Sequence, residues 1–291
     1  MSVVEKTLRK IQEAKRPAAA APAPGADGQV VSPAHADTRE RPPVIAVDTV
    51  ALREAGLIPP ADEERRLSYQ YRKIKRPLIA NAIGRGASRM PMGYVIMLAS
   101  ALPGEGKSFT AVNLALSISK EKDLSVLLVD GDVAKPQLTR VLGLDGERGL
   151  LDVLRDPRLD VESVIRPTDV PKLSFLPAGV SSTDATELLA SKRMEEVAIL
   201  LGRRDGNRIV LFDTPPLVPT TESPVLAQVA GQIVVVVRAE STPQPVLLDA
   251  LSLLEEHSSV SLILNQSLHM ATSAYYYYGY GSKPDEGSEQ A

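Results

Sequence analysis

The run Ala101-Leu-Pro-Gly-Glu-Gly-Lys107-Ser108 has the spacing of a loop that wraps phosphate. Pro103, Gly104, Glu105 and Gly106 keep the turn compact, so that backbone N–H groups converge on an anion, with Phe109 next in line. Lys107 adds a positive charge for the β and γ oxygens, and the Ser108 hydroxyl suits Mg²⁺. Ala101 stands where the strict pattern has Gly, which leaves an ordinary glycine-rich turn as the alternative. Two carboxylates, Asp130 and Asp132, close the run VLLVDGD and repel each other unless a cation is near. A complex of Mg²⁺ with ATP supplies that cation; a plain helix N-cap is the competing use. Asp213 ends the strand-like part of RIVLFDTPP in the manner of a Walker B acid that holds Mg²⁺ or its waters, against a simple capping role. Five of the eight tyrosines, Tyr275, Tyr276, Tyr277, Tyr278 and Tyr280, fall within six residues of the C-terminal tail. Each phenol is a phosphoryl acceptor; sticky stacking contacts and chance composition compete with that role.

These groups need elements that bring them to one place. From Tyr94 onward, strand-like apolar runs alternate with helical patterns. YVIMLAS precedes a helix from Ser108, SVLLVD precedes PQLTRVLGL and LLDVL, and LSFLP precedes a helix over Thr186 to Leu201. RIVLFD, QIVVVV and SLILN continue the series, with helices near Glu222 to Val229 and from Pro245 to His257 between them. Short, nearly all-apolar strands with helical connections predict an α/β domain, a doubly wound and mostly parallel sheet of P-loop type. Its strands would present Lys107, Asp130, Asp132 and Asp213 at the carboxyl edge, where such sheets bind ligands. Asn265, after the last strand, either contacts an adenine edge or only ends the strand.

Composition narrows the chemistry. The 291 residues include no Cys and three His, which excludes disulfide scaffolds, thiolate metal sites and cysteine nucleophiles, and fits a reducing, cytoplasmic compartment. A net charge of −3 gives no general pull toward nucleic acid. The apolar runs Tyr94 to Leu102 and Gln232 to Val237 are far shorter than the roughly 20 residues a membrane helix needs.

Residues 1–16 read as a basic amphipathic helix, with Val4, Leu8 and Ile11 on one face; it is either an exposed terminus or a docking helix for a partner or membrane surface. Residues 17–64 are rich in Ala, Pro and Gly and read as a flexible tether. The catalytic domain is expected over 65–270, opened by a helix that carries Tyr69, Arg72 and Lys75 and that Pro77 should restrict. A tyrosine-rich tail over 271–291 follows.

Together the motifs resemble the bacterial tyrosine kinases, P-loop autokinases of exopolysaccharide synthesis with a MinD-like, deviant Walker fold. ASALPGEGKS is similar to their Walker A motif, LLVDGD to Walker A′ and LFDTPP to Walker B, with GLLDVL, LSFLPAG, TELLASKRM and the terminal tyrosines in the same order. SVVEKTLRKIQEAK and YRKIKRPLIANA look like the exosortase-associated subgroup, in which the kinase is a separate cytoplasmic chain.

The resemblance implies ATP and Mg²⁺ as cofactors. Lys107 would polarise phosphates, Ser108, Asp130 and Asp213 would organise the metal, and Asp130 and Asp132 would position the metal and the tyrosine hydroxyl. Asp130 is the first candidate to accept the phenol proton. The resemblance also implies a homo-oligomer that phosphorylates its tail in trans, an inner-membrane chain-length determinant (Wzz-like) activator that recruits it to the membrane face, and an opposing protein-tyrosine phosphatase. The chain departs from the family at Phe109, where a second hydroxyl is usual, and at Tyr69, Arg72 and Lys75, where the family shows Glu-x-x-Arg-x-x-Arg for ring assembly. Lys135 alone stands for the basic residues after Walker A′. The alternative is a MinD/ParA-like localisation ATPase, whose signature Lys would stand where this chain has Leu102; an adaptor that only retains ATP is a third.

Overall fold

The structure, a computed structural model, describes residues 42–84, 90–202, 207–257 and 259–267. The amphipathic helix expected over 1–16 and the tyrosine tail lie outside the described residues.

Among the described residues, seven strands form one sheet: β1 Val95–Ser100, β2 Ser125–Asp130, β3 Arg166–Pro167, β4 Leu173–Leu176, β5 Arg208–Asp213, β6 Gln232–Arg238 and β7 Val260–Asn265. Their order is β3-β4-β2-β5-β1-β6-β7. Every neighbouring pair is parallel except β3 with β4, a two-residue antiparallel edge that the apolar pattern does not disclose. β1 is buried along its whole length because β5 and β6 flank it and helices cover both faces. Alternate residues of the inner strands therefore feed two cores. Val95, Met97, Val129 and Phe212 lie in one; Ile96, Leu98, Leu128 and Leu211 lie in the other.

The register sets the working edge. Asp213 pairs laterally with Leu98 on one side and with Asp130 on the other, so two carboxylates and the start of the phosphate loop reach the same level. Among the described residues, no helix is long and apolar enough to cross a membrane.

Three expectations about the entrance and the helices change. Residues 42–64 are not a tether. Ile45 N–H donates to Pro167 O at 2.9 Å, Asp169 N–H donates back to Ile45 O at 3.0 Å, and Asp48 caps the helix Thr49–Glu54. Leu52, Leu57 and Ile58 are buried, and Asn113 of the phosphate-loop helix donates to Leu57 O at 2.9 Å. These apolar side chains supply the burial that offsets ordering, which a window averaged with the Ala/Pro-rich stretch before it conceals. Replacing Leu52 with Ala should cost about 2–5 kcal/mol in chemical denaturation; an unchanged midpoint would show that this segment adds no cohesion.

Pro77 does not stop its helix, which runs from Glu64 to Ile83. The proline removes one hydrogen bond, but Tyr71, Lys75, Leu78 and Ala82 recur on one buried face and outweigh that loss. The helix expected over Thr186 to Leu201 is two, Ala185–Leu189 and Lys192–Leu201, because Ser191 takes an extended backbone (ψ 155°) between them.

Candidate active site

The phosphate loop leaves β1 and enters the helix Lys107–Ile118. Gly104 (φ 81°) and Gly106 (φ 93°) adopt left-handed backbone that disfavours a side chain. Gly106 is also crowded: a Cβ there would lie 2.0 Å from Asn265 Nδ2, whose amide donates to Glu105 O at 2.9 Å. Gly106→Ala should therefore open the loop and weaken binding of a fluorescent ATP analogue at least tenfold; unaltered affinity would show that the loop tolerates both faults. The N–H groups from Gly106 to Phe109 have no partner inside the helix and carry the positive end of its dipole.

Lys107 is almost wholly buried, and its Nζ lies 2.8 Å from Asp213 Oδ1 and 3.3 Å from Ser108 Oγ. Asp213 is buried as well, and Gly131 N–H donates to its backbone carbonyl at 2.7 Å, fastening the end of β5 to the end of β2. Thr214 Oγ1 donates to Leu98 O at 2.9 Å and fixes the exit of β5 against β1.

Asp130 is completely buried. Its Oδ2 accepts from both the backbone N–H and the hydroxyl of Thr139, each at 2.8 Å, and that hydroxyl accepts from Ala178 N–H at 3.1 Å. Its Oδ1 has no hydrogen-bond partner among the described residues. Burial first, and then the nearby Asp213 charge, push the Asp130 carboxyl up to about 7. Asp132 stands further out and is partly exposed; Lys135 N–H donates to its Oδ1 at 3.1 Å. Burial raises its pKa too, with the Lys107 charge opposing.

An orphaned carboxylate oxygen, a second carboxylate at the neighbouring strand end and the Ser108 hydroxyl fit a hard divalent cation that shares oxygens with a polyphosphate. No cluster of three or more acidic, His or Cys side chains able to hold a metal alone forms among the described residues. A cation here needs a ligand's oxygens to complete its shell.

The structure places Lys107, Ser108, Asp213 and Asp130 together and sets Asp132 at their rim. Phe109 does not face the loop: its ring packs against the core beneath the helix, and only its backbone N–H remains at the helix N-terminus. Lys75 is not available for assembly either, since it is buried and its Nζ lies 2.7 Å from Glu121. Tyr69 and Arg72 stay accessible, with the guanidinium 5.6 Å from the ring centre. Tyr275, Tyr276, Tyr277, Tyr278 and Tyr280 are outside the described residues. Sequence reasoning missed Thr139, which lies nine positions beyond Asp130 without any motif spacing, and the contacts that tie Glu105 into the loop.

A mostly parallel sheet with an inner strand that runs into a glycine loop and helix, and with carboxylates at the ends of two adjacent strands, defines a P-loop nucleotide-binding domain. A family model described as an AAA domain matches residues 93–275. The tyrosine-protein kinase YwqD of Bacillus subtilis is 32% identical over 214 residues, covering 73% of this chain and 86% of its own. The tyrosine-protein kinase Wzc of Salmonella typhimurium is 30% identical over 187 residues, 64% of this chain and 26% of its own. EpsB of Ralstonia nicotianae is 35% identical over 191 residues, 65% of this chain and 24% of its own. Thus the chain spans about a quarter of the length of the latter two. Among solved structures, the VpsO kinase domain superposes with a TM-score of 0.57 at 27% identity, covering 72% of this chain and all of that one. The chain belongs to this AAA-domain family and, within it, to the bacterial tyrosine-protein kinases.

Proposed function

We propose that this chain transfers the γ-phosphoryl group of ATP to the tyrosines of its own tail, Tyr275 to Tyr278 and Tyr280, carried by a neighbouring copy. The observation that carries this reading is the meeting of Lys107, Asp213 and the orphaned Asp130 Oδ1 at one helix N-terminus. Loop N–H groups and the Lys107 ammonium would bind and orient the phosphates. Ser108, Asp213 and Asp130 would hold Mg²⁺, which neutralises charge on the phosphate oxygens. Phosphoryl transfer depends mainly on such alignment and charge balance.

The proton acceptor shifts outward from the sequence expectation. The Asp130 carboxyl is fully buried, whereas Asp132 is partly exposed and has a raised pKa. We assign the phenol proton to an Asp132 carboxylate oxygen. The phenol oxygen bonds to the γ-phosphorus, the bond from that phosphorus to ADP breaks, and the proton passes to Asp132. Regulation of exopolysaccharide polymerisation, a Wzz-like inner-membrane activator that recruits the chain, and a reversing phosphatase complete the proposal on the strength of the family resemblance.

The test is mass spectrometry of tail peptides after incubation with Mg²⁺ and ATP. Phosphate on the tyrosines of wild type, and not of Lys107→Ala or Asp130→Ala, supports the kinase; ATP hydrolysis with a bare tail favours a localisation ATPase. Mixing a Lys107→Met copy with an active copy whose tail tyrosines are Phe separates the routes. Phosphate on the inactive copy establishes transfer in trans.

A further inference from the structure

Glu105 is a carboxylate in the middle of a loop built for anions. Its side chain is buried, and no ion pair among the described residues includes it. Its charge repels any phosphate the loop receives, so its presence calls for a structural reason. The hydrogen bonds supply one. Glu105 Oε2 accepts from Leu102 N–H at 2.9 Å, across the loop's own mouth. Glu105 Oε1 accepts from the Thr242 hydroxyl. That hydroxyl in turn accepts from Arg238 N–H at 3.1 Å, and Thr242 N–H donates to Arg238 O at 3.1 Å. The backbone carbonyl of the same glutamate accepts from Asn265, at the end of β7.

One residue of the phosphate loop is thus fastened to three strand ends. Leu102 follows β1, Thr242 lies in the connection between β6 and the helix Gln244–Ser252, and Asn265 closes β7. With Gly104 and Gly106 free to take left-handed backbone, the loop itself has little to hold its shape. Glu105 folded inward, gripped from two sides, sets the curvature that aims the N–H groups. A hydrogen bond to a charged acceptor is among the stronger neutral-donor bonds, and a buried acceptor that loses a donor is costly.

We propose that Thr242 is a positioning residue for nucleotide binding. It acts through Glu105 to hold the phosphate loop in its anion-receiving shape, and so links that loop to the connection after β6. This rests on the reading of the site as an ATP site. Thr242 touches neither phosphate nor acceptor in this role; its hydroxyl acts as a relay from the Arg238 backbone to the Glu105 carboxylate.

Thr242→Val keeps the shape and deletes the hydroxyl, while Thr242→Ser keeps the hydroxyl and deletes a methyl. The full chain of each would be titrated with a fluorescent ATP analogue and assayed for tail phosphorylation over a range of ATP concentrations, with melting temperature measured alongside. Thr242→Val should weaken analogue binding and raise KM for ATP about tenfold while kcat changes less than threefold; Thr242→Ser should restore both to within about twofold. Equal behaviour of Val and Ser overturns the proposal, as does a Val variant whose affinity matches wild type. Direct titration does not need phosphoryl transfer, so a wild-type chain that binds the analogue but leaves its tail bare defeats the kinase reading and leaves the Thr242 test standing. A wild-type chain that binds no analogue overturns both.

Discussion

Lys107→Met should abolish tail phosphorylation and also weaken the fold, because under the proposed mechanism the ammonium has two tasks. Its Nζ is 2.8 Å from Asp213 Oδ1, with both side chains more than nine-tenths buried. Removing one partner of such a pair leaves the other charge without compensation, at a cost of about 3–5 kcal/mol. For a domain of this size that lowers the melting temperature by on the order of 10 °C. The carboxylate left behind also faces Asp130, whose burial already disfavours charge, so the loss should be larger at pH 8 than at pH 6. For phosphoryl transfer, loss of a preorganised charge at the reacting group should lower kcat by at least about 10²–10³-fold. The double variant Lys107→Met/Asp213→Asn separates the two tasks. It removes the stranded charge, so calorimetry should show most of the stability regained while phosphotyrosine stays absent. A single variant that melts like wild type would show that the pair adds nothing to the fold.

The distinction between what the sequence discloses and what it hides follows from how each feature is encoded. Lys107, Ser108, Asp130 and Asp213 are legible because each ends or follows an all-apolar strand, and a parallel sheet must gather such ends on one edge. The register then places Asp130 beside Asp213. The supports are illegible for the opposite reason. Thr139 meets Asp130 only after a turn and the start of the short helix Gln137–Val141, and Thr242 meets Glu105 across 137 positions. No local period reports a contact of that span. Residues 42–64 fail differently: Leu52, Leu57 and Ile58 are too widely spaced for a periodic signal, and they order only because the helices Glu64–Ile83 and Lys107–Ile118 offer them a surface. Phe109 shows a further limit, since a motif position says nothing about where the ring goes.

Asp130→Asn should stabilise the ligand-free protein at pH 8 while removing its activity. The folded carboxyl is raised to about 7, against about 3.9 for an unfolded chain. Between those values the folded state holds a proton that the unfolded state has released. Stability therefore falls as pH rises from about 4 to about 7 and stays at its lower level above that. At 1.36 kcal/mol per unit, the roughly three-unit difference sets an upper bound of about 4 kcal/mol on the stability that ionised Asp130 removes. Asn can still accept the two Thr139 bonds through its carbonyl oxygen, and it carries no charge to repel Asp213. Denaturation at pH 5 and pH 8 should thus show the wild type losing stability between the two and the variant losing much less. Asp132, shifted in the same direction, keeps a smaller slope in the variant. Parallel pH profiles for the two proteins would refute this account. Asp130 Oδ1, which has no hydrogen-bond partner among the described residues, is the oxygen that the proposed mechanism gives to Mg²⁺. Added Mg²⁺ with a nonhydrolysable ATP analogue should therefore raise the melting temperature of wild type at pH 8 more than that of Asp130→Asn, reversing part of their difference.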